Sequence, residues 1–239
     1  MRPMARLVIF DLDGTLLDTV EDLGNATNYA LRMCGFPERP LQDYYQLVGR
    51  GIYNLFRQAM PASDEAMAQA SDEAMVQKMA SYFLPYYGEH MCDCTKPYPG
   101  IPEMLRELTD SGIHVALASN KYQEGAEKLI RRFFPEIPFL KVLGQREGQP
   151  IKPDPQVVFQ IMATTPEDDS QSKPSPRQPF VPEEVAYVGD SNVDMQTGLN
   201  AGVQTIGVTW GFRDRAELEA FHPFAVVDTV QELQALLMG

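Results

Sequence analysis

Residues 7–19 read LVIFDLDGTLLDT, and the class of fold follows from them. Leu7 to Phe10 is a short, wholly apolar run, followed at once by Asp11, Asp13 and Gly14. Such a run, bounded by a charged turn, reads as a strand buried on both faces, the kind found in parallel sheets. The pattern recurs at residues 115–118, 185–188 and 203–208, with weaker versions at 139–143 and 225–227. Helical spacing fills the intervals at 101–111, 123–133, 155–162, 194–201 and 230–237. Strands alternating with helices predict an α/β fold, a doubly wound, mostly parallel, Rossmann-like sheet.

From about Asp18 to Met91 that rhythm stops. Val20, Leu23, Ala26, Thr27, Ala30 and Leu31 fall at helical intervals, as do Met67, Ala70, Ala74, Met75 and Met79, with no convincing strand among them. The expectation is an inserted helical cap over residues 18–96, with the catalytic core formed by 1–17 and 97–239. The methionine-rich stripe reads as adaptable packing. Residues 164–180, dense in Pro, Ser and charge, read as a flexible surface loop within the core.

Composition narrows the function. A formal net charge of -13 lacks the cationic footprint that nucleic-acid binding requires, so no nucleic-acid partner is expected. Hydrophobic residues at 44% and charged residues at 22% are those of a folded chain, with no run long enough to span a membrane. Cys34, Cys92 and Cys94 are odd in number and read as free thiols; a zinc site using His90 has no other support. The N-terminal apolar run ends in carboxylates rather than in a cleavage site, so a cytoplasmic protein, monomer or homodimer, is expected.

The candidate chemistry lies at strand ends. In an open α/β sheet ligands bind beyond the carboxyl ends of the strands, where Asp11 and Asp13 fall. Alone, DLDGT also reads as a charged turn capping a strand. Three other segments supply what a phosphate site needs. ALASNK (116–121) ends a strand with Ser119 and Asn120, able to bond phosphate oxygens or to cap a helix. IKPDP (151–155) brings Lys152, a phosphate cation or a solvated charge. YVGDSNVD (187–194) puts Asp190 and Asp194 after a strand, hard oxygen ligands of the kind Mg²⁺ takes.

These four segments in this order resemble the haloacid dehalogenase superfamily of phosphohydrolases, whose helical cap the insertion after DLDGT resembles. Ile9-Phe10 with DLDGTLLDT, YPGI (98–101) and ASNK (118–121) is most similar to the phosphoglycolate phosphatases. The resemblance implies a magnesium-dependent phosphatase acting on a small phosphorylated metabolite. Asp11 is then the nucleophile, and Asp13 the acid and base. Asp11, the Asp13 backbone carbonyl and Asp190 would hold the metal, with Asp194 orienting ligands or pairing with Lys152. Thr15, Ser119, Asn120 and Lys152 are implied at the phosphoryl oxygens. Asp13 argues against a dehalogenase, which needs no acid for a halide. A sugar phosphomutase of the beta-phosphoglucomutase kind keeps both aspartates and stays open, as does a non-catalytic binding protein on the same fold. In the cap, Arg50, between Gly49 and Gly51, either meets a substrate carboxylate or is a solvated charge. Trp210, Phe212 and Arg213 either line the rim or pack.

Overall fold

A computed structural model describes residues 3–61, 68–164 and 179–239, with side chains in the fourth helix described from Glu73. The stretch 165–178, most of the expected flexible loop, lies outside the described residues, as does Met67.

Six parallel strands form the main sheet: β1 (Leu7–Phe10), β4 (His114–Tyr122), β5 (Lys141–Gln145), β6 (Val185–Gly189), β7 (Gln204–Val208) and β8 (Ala225–Val227). Their order is β5-β4-β1-β6-β7-β8. Alternate residues of β1 feed two cores: Val8 and Phe10 pack with Val115, Leu117 and Val188 on one face, Leu7 and Ile9 with Ala116, Ala118 and Tyr187 on the other. Each side chain of β1 is fully buried, which stabilises by roughly 1.5–3 kcal/mol per large apolar residue. Helices α5 (Ile101–Asp110), α6 (Gln123–Phe133), α7 (Gln156–Met162), α8 (Asn192–Ala201), α9 (Arg215–Glu219) and α10 (Val230–Met238) connect the strands. Because β1 pairs with β4 on one side and β6 on the other, the chain reverses its direction of travel across the sheet at β1. A crevice opens there, beyond the carboxyl ends of the strands.

The helical insertion is α1 (Val20–Met33), α2 (Tyr44–Leu47), α3 (Ile52–Ala59) and α4 (Ala68–His90). In α1 the six predicted apolar positions are all buried; acidic Glu21 and Asp22 in its first turn and Arg32 in its last suit the helix dipole. The stripe read on α4 holds in part. Met79 is buried as expected, Ala74 is exposed and Met75 only half-buried, and the Ala70 side chain lies outside the described residues; Val76, Ala80, Phe83 and Tyr87 complete the buried face. Three aromatic rings, Phe56, Phe83 and Tyr87, pack in series along it, and their larger area sets which face turns inward.

Two strands of two residues each were not foreseen. β2 (Leu17–Asp18) and β3 (Lys96–Pro97) pair antiparallel where the chain leaves and re-enters the core. The buried Asp22 carboxylate fastens this crossing, accepting from the Cys94 and Thr95 amides and from Thr95 Oγ1 at 2.7–3.1 Å. All three cysteines are free, and His90 pairs with Asp93 at 2.8 Å. Among the described residues no helix is long and apolar enough to cross a membrane.

Candidate active site

Asp11 follows β1 directly, its amide bonded to Val188 O at 2.9 Å, so the sheet continues one residue past the strand and aims the carboxylate into the crevice. Asp190 follows β6. Its Oδ1 accepts from Thr15 Oγ1 at 2.9 Å and its Oδ2 from the Phe212 amide at 2.7 Å. Gly14 has φ +89°, and a Cβ there or at Gly211 would collide with the Asp190 carboxylate. Glycine is thus needed at both places to let the backbone close around it.

Asp194 stands at the third position of α8, where it pairs with the helix's N-cap, Ser191. The Ser191 hydroxyl donates to Asp194 Oδ2 at 2.6 Å and the Ser191 amide to the same oxygen at 3.2 Å, a reciprocal capping box. Its Oδ1 accepts from Lys152 Nζ at 2.7 Å and from Tyr187 OH at 3.3 Å. Lys152 Nζ also lies 2.8 Å from Asp11 Oδ1. The one ammonium therefore bridges the Asp11 and Asp194 carboxylates.

Three buried carboxylates around one ammonium leave an excess of negative charge. Burial, then the Asp194 charge, raise Asp11 from 3.8 to about 7 against the pull of Lys152. Asp190 is held well above the carboxylate range by burial and by Asp194 and Asp11. Burial alone would lower Lys152; Asp11 and Asp194 outweigh it and raise the ammonium well above its ordinary value. Ligand oxygens of Asp11, Asp190 and Asp194 lie within 4.8 Å of one another, a donor set of hard oxygens suited to a divalent cation.

A pH dependence follows. Between pH 3.8 and about 7 folded Asp11 keeps a proton that it loses in the unfolded chain, so its contribution to stability falls as pH rises through that window. Asp190, shifted the same way, adds to the fall. The melting temperature of the metal-free protein, relative to its Asp11→Asn variant, therefore declines across this window. Divalent metal, binding the ionised form, should restore most at its upper end.

The family model for haloacid dehalogenase-like hydrolases matches residues 8–208, from β1 to the end of β7. The chain belongs to the haloacid dehalogenase-like hydrolases. Within that family it is similar to phosphoglycolate phosphatases: the one from Pseudomonas putida is 32% identical over 237 residues, 99% of this chain and 80% of the relative. That from Haemophilus influenzae is 27% identical over 99% of this chain and all of its own. A crystal structure from Lactobacillus delbrueckii subsp. bulgaricus covers the whole of both chains with a TM-score of 0.80 at 30% identity.

In this hydrolase the remaining site residues divide. Ser119 lies within β4, which runs on through ASNK to Tyr122 instead of ending there, and lines a cavity over Asp11 and Asp13; its Oγ accepts from the Lys121 amide at 3.2 Å, leaving its own proton for a ligand. The Asn120 side chain is committed to backbone: it accepts from the Lys152 amide at 2.9 Å and donates to Lys152 O and to Gly49 O of the cap. Its role in the apo protein is to hold Lys152 and the cap loop, and the Thr15 hydroxyl likewise supports Asp190. Arg50 is exposed and does not line the cavity, although its neighbours Gly49 and Gly51 do. The Asp13 carboxylate turns away from Asp11's partners, to Thr19 Oγ1 at 2.7 Å and Lys121 Nζ at 2.9 Å.

Two contributors take on a definite role only in the folded chain. Lys121 sits in the ALASNK segment, but its partner Asp13 is 108 residues away, beyond the reach of any local pattern. Arg213 was left between rim and packing; its guanidinium donates to the carbonyls of Tyr45, Gln46 and Val48 at the end of α2. It thus ties the cap loop before Gly49 to the loop whose Phe212 amide holds Asp190. Trp210 Nε1 donates to Thr15 O at 3.1 Å and steadies the DLDGT turn from the same loop.

Proposed function

We propose that this phosphatase releases phosphate from a small phosphomonoester, 2-phosphoglycolate foremost, with Asp11 as nucleophile and Mg²⁺ as cofactor. The observation that carries the proposal is the buried Asp11 carboxylate lining a cavity, 2.8 Å from the Lys152 ammonium and clustered within 4.8 Å with carboxylate oxygens of Asp190 and Asp194. A carboxylate held beside one ammonium keeps further lone pairs for attack or for a metal. Support for the substrate comes from the similarity to phosphoglycolate phosphatases over nearly the whole chain.

Asp11 attacks phosphorus, an O–P bond forms as the ester P–O bond breaks, and Asp13 gives its proton to the leaving oxygen. Water then attacks the aspartyl-phosphate, Asp13 takes the proton back, and Asp11 is regenerated. Ser119 and Lys152 hold the phosphoryl oxygens, with Lys152 meeting the charge that gathers there. Asp11, the Asp13 carbonyl and Asp190 would hold Mg²⁺, which would offset the repulsion between phosphate and nucleophile. Asp194, both of whose oxygens are engaged, orients Lys152 rather than serving as a ligand.

Phosphate release from 2-phosphoglycolate and para-nitrophenyl phosphate, assayed with Mg²⁺ and after chelation, tests the reading. Release should require the metal and return when it is restored. Metal-independent release, or none from either ester, would sink it.

A further inference from the structure

Two polar groups in the cavity take no part in holding phosphate. Tyr87, on α4, lines the cavity from the cap side, and its hydroxyl is buried with no hydrogen-bond partner. Leaving such a group unpaired costs roughly 1–3 kcal/mol, a cost removed when a ligand accepts from it. Lys121, on β4, lines the cavity from the core side with its side chain 2% exposed. Its ammonium lies 4.9 Å from the centre of the Tyr87 ring and engages two acceptors, Asp13 Oδ1 at 2.9 Å and Oδ2 at 3.1 Å. An ammonium has three donors, so one is left over. The cap contributes Leu23, Val48, Ile52 and Leu55 to the same walls, side chains that offer no competing polar group.

A buried cation and a buried phenol O–H converging across an apolar cleft make a site for an anionic oxygen. We propose that Lys121 and Tyr87 bind a carboxylate carried by the leaving group, so that the preferred substrates are phosphate esters of short hydroxy acids. This rests on the phosphatase reading and adds to it the residues that select the substrate. A carboxylate fits better than a second phosphate, because a dianion would set two charges against one ammonium that Asp13 already partly neutralises, within apolar walls. Chain length follows from geometry. The ester oxygen must lie within about 3 Å of Asp13 to receive its proton, and the carboxylate within about 3 Å of Lys121 Nζ. Those two protein groups are themselves 2.9 Å apart, so a short chain suffices to bridge the substrate's two ends.

The test compares kcat/KM on 2-phosphoglycolate and on ethyl phosphate, an ester of similar size without the carboxylate. The unsubstituted protein should favour 2-phosphoglycolate. Lys121→Met should cut that ratio at least tenfold, chiefly through KM for 2-phosphoglycolate. Tyr87→Phe, which removes only an unpaired oxygen, should cut it several-fold while leaving the melting temperature unchanged or higher, a combination that a structural role does not give. Equal loss on both esters in both variants, or no preference in the unsubstituted protein, overturns the proposal alone. Failure of the unsubstituted protein to hydrolyse either ester with Mg²⁺ overturns the phosphatase reading, and the proposal with it.

Discussion

Replacing Asp11 by asparagine lowers phosphate release by about 10⁴-fold or more while the protein stays folded. The amide is a far poorer nucleophile than the carboxylate, and a loss of that size corresponds to about 5 kcal/mol of transition-state stabilisation. The fold should tolerate the change because Lys152 keeps Asp194 as a partner at 2.7 Å and because a carboxylate pushed up to about 7 by burial is replaced by a neutral group of the same shape. Steady-state kinetics with thermal melting on the same samples checks both halves. The metal should also raise the variant's melting temperature less than that of the unsubstituted protein, since one of its anionic ligands is gone.

Lys152→Met combines loss of activity with loss of stability. Its ammonium lies between Asp11 at 2.8 Å and Asp194 at 2.7 Å and donates to Ala118 O at 3.1 Å. Methionine fills much of the volume but leaves two buried carboxylates uncompensated, an expected cost of about 3–5 kcal/mol near neutral pH. The cost should shrink as pH falls and the carboxylates take up protons, which separates a charge effect from a packing defect. Denaturant unfolding at several pH values reads this out. Lys152→Arg should not rescue activity, because a planar fork cannot replace a compact charge that contacts carboxylates on two sides.

The parts of the fold that could be read in advance are those in which one short segment carries its own signature. β1 is wholly buried, and its four apolar residues announce that without reference to the rest of the chain. Asp11 and Asp190 were legible for the same reason, as the first charged residues after such runs. β2 and β3, at two residues each, are too short for any periodicity, and they pair where Asp22 fastens the residues just before β3. On α4 the spacing finds Met79 but also points to Ala74 and Met75, which the face set by Phe83 and Tyr87 leaves outside or at its edge. Side-chain commitments were the least legible part. Asn120 and Thr15 carry the right chemistry for phosphate, yet the fold uses their hydrogen bonds to position Lys152 and Asp190. Arg213 reaches carbonyls 165–168 residues away in sequence, and nothing near it signals that contact.

Accumulation of a covalent intermediate provides the decisive measurement. In an Asp13→Asn variant, in which the water that breaks the aspartyl-phosphate loses its base, acid quenching during incubation with para-nitrophenyl phosphate, whose phenolate leaves without an acid, and Mg²⁺, followed by borohydride reduction and peptide mapping, should locate the modification on Asp11. Phosphate release by the unsubstituted protein with no such adduct at Asp11 in the variant, or with the adduct at another residue, would contradict the account.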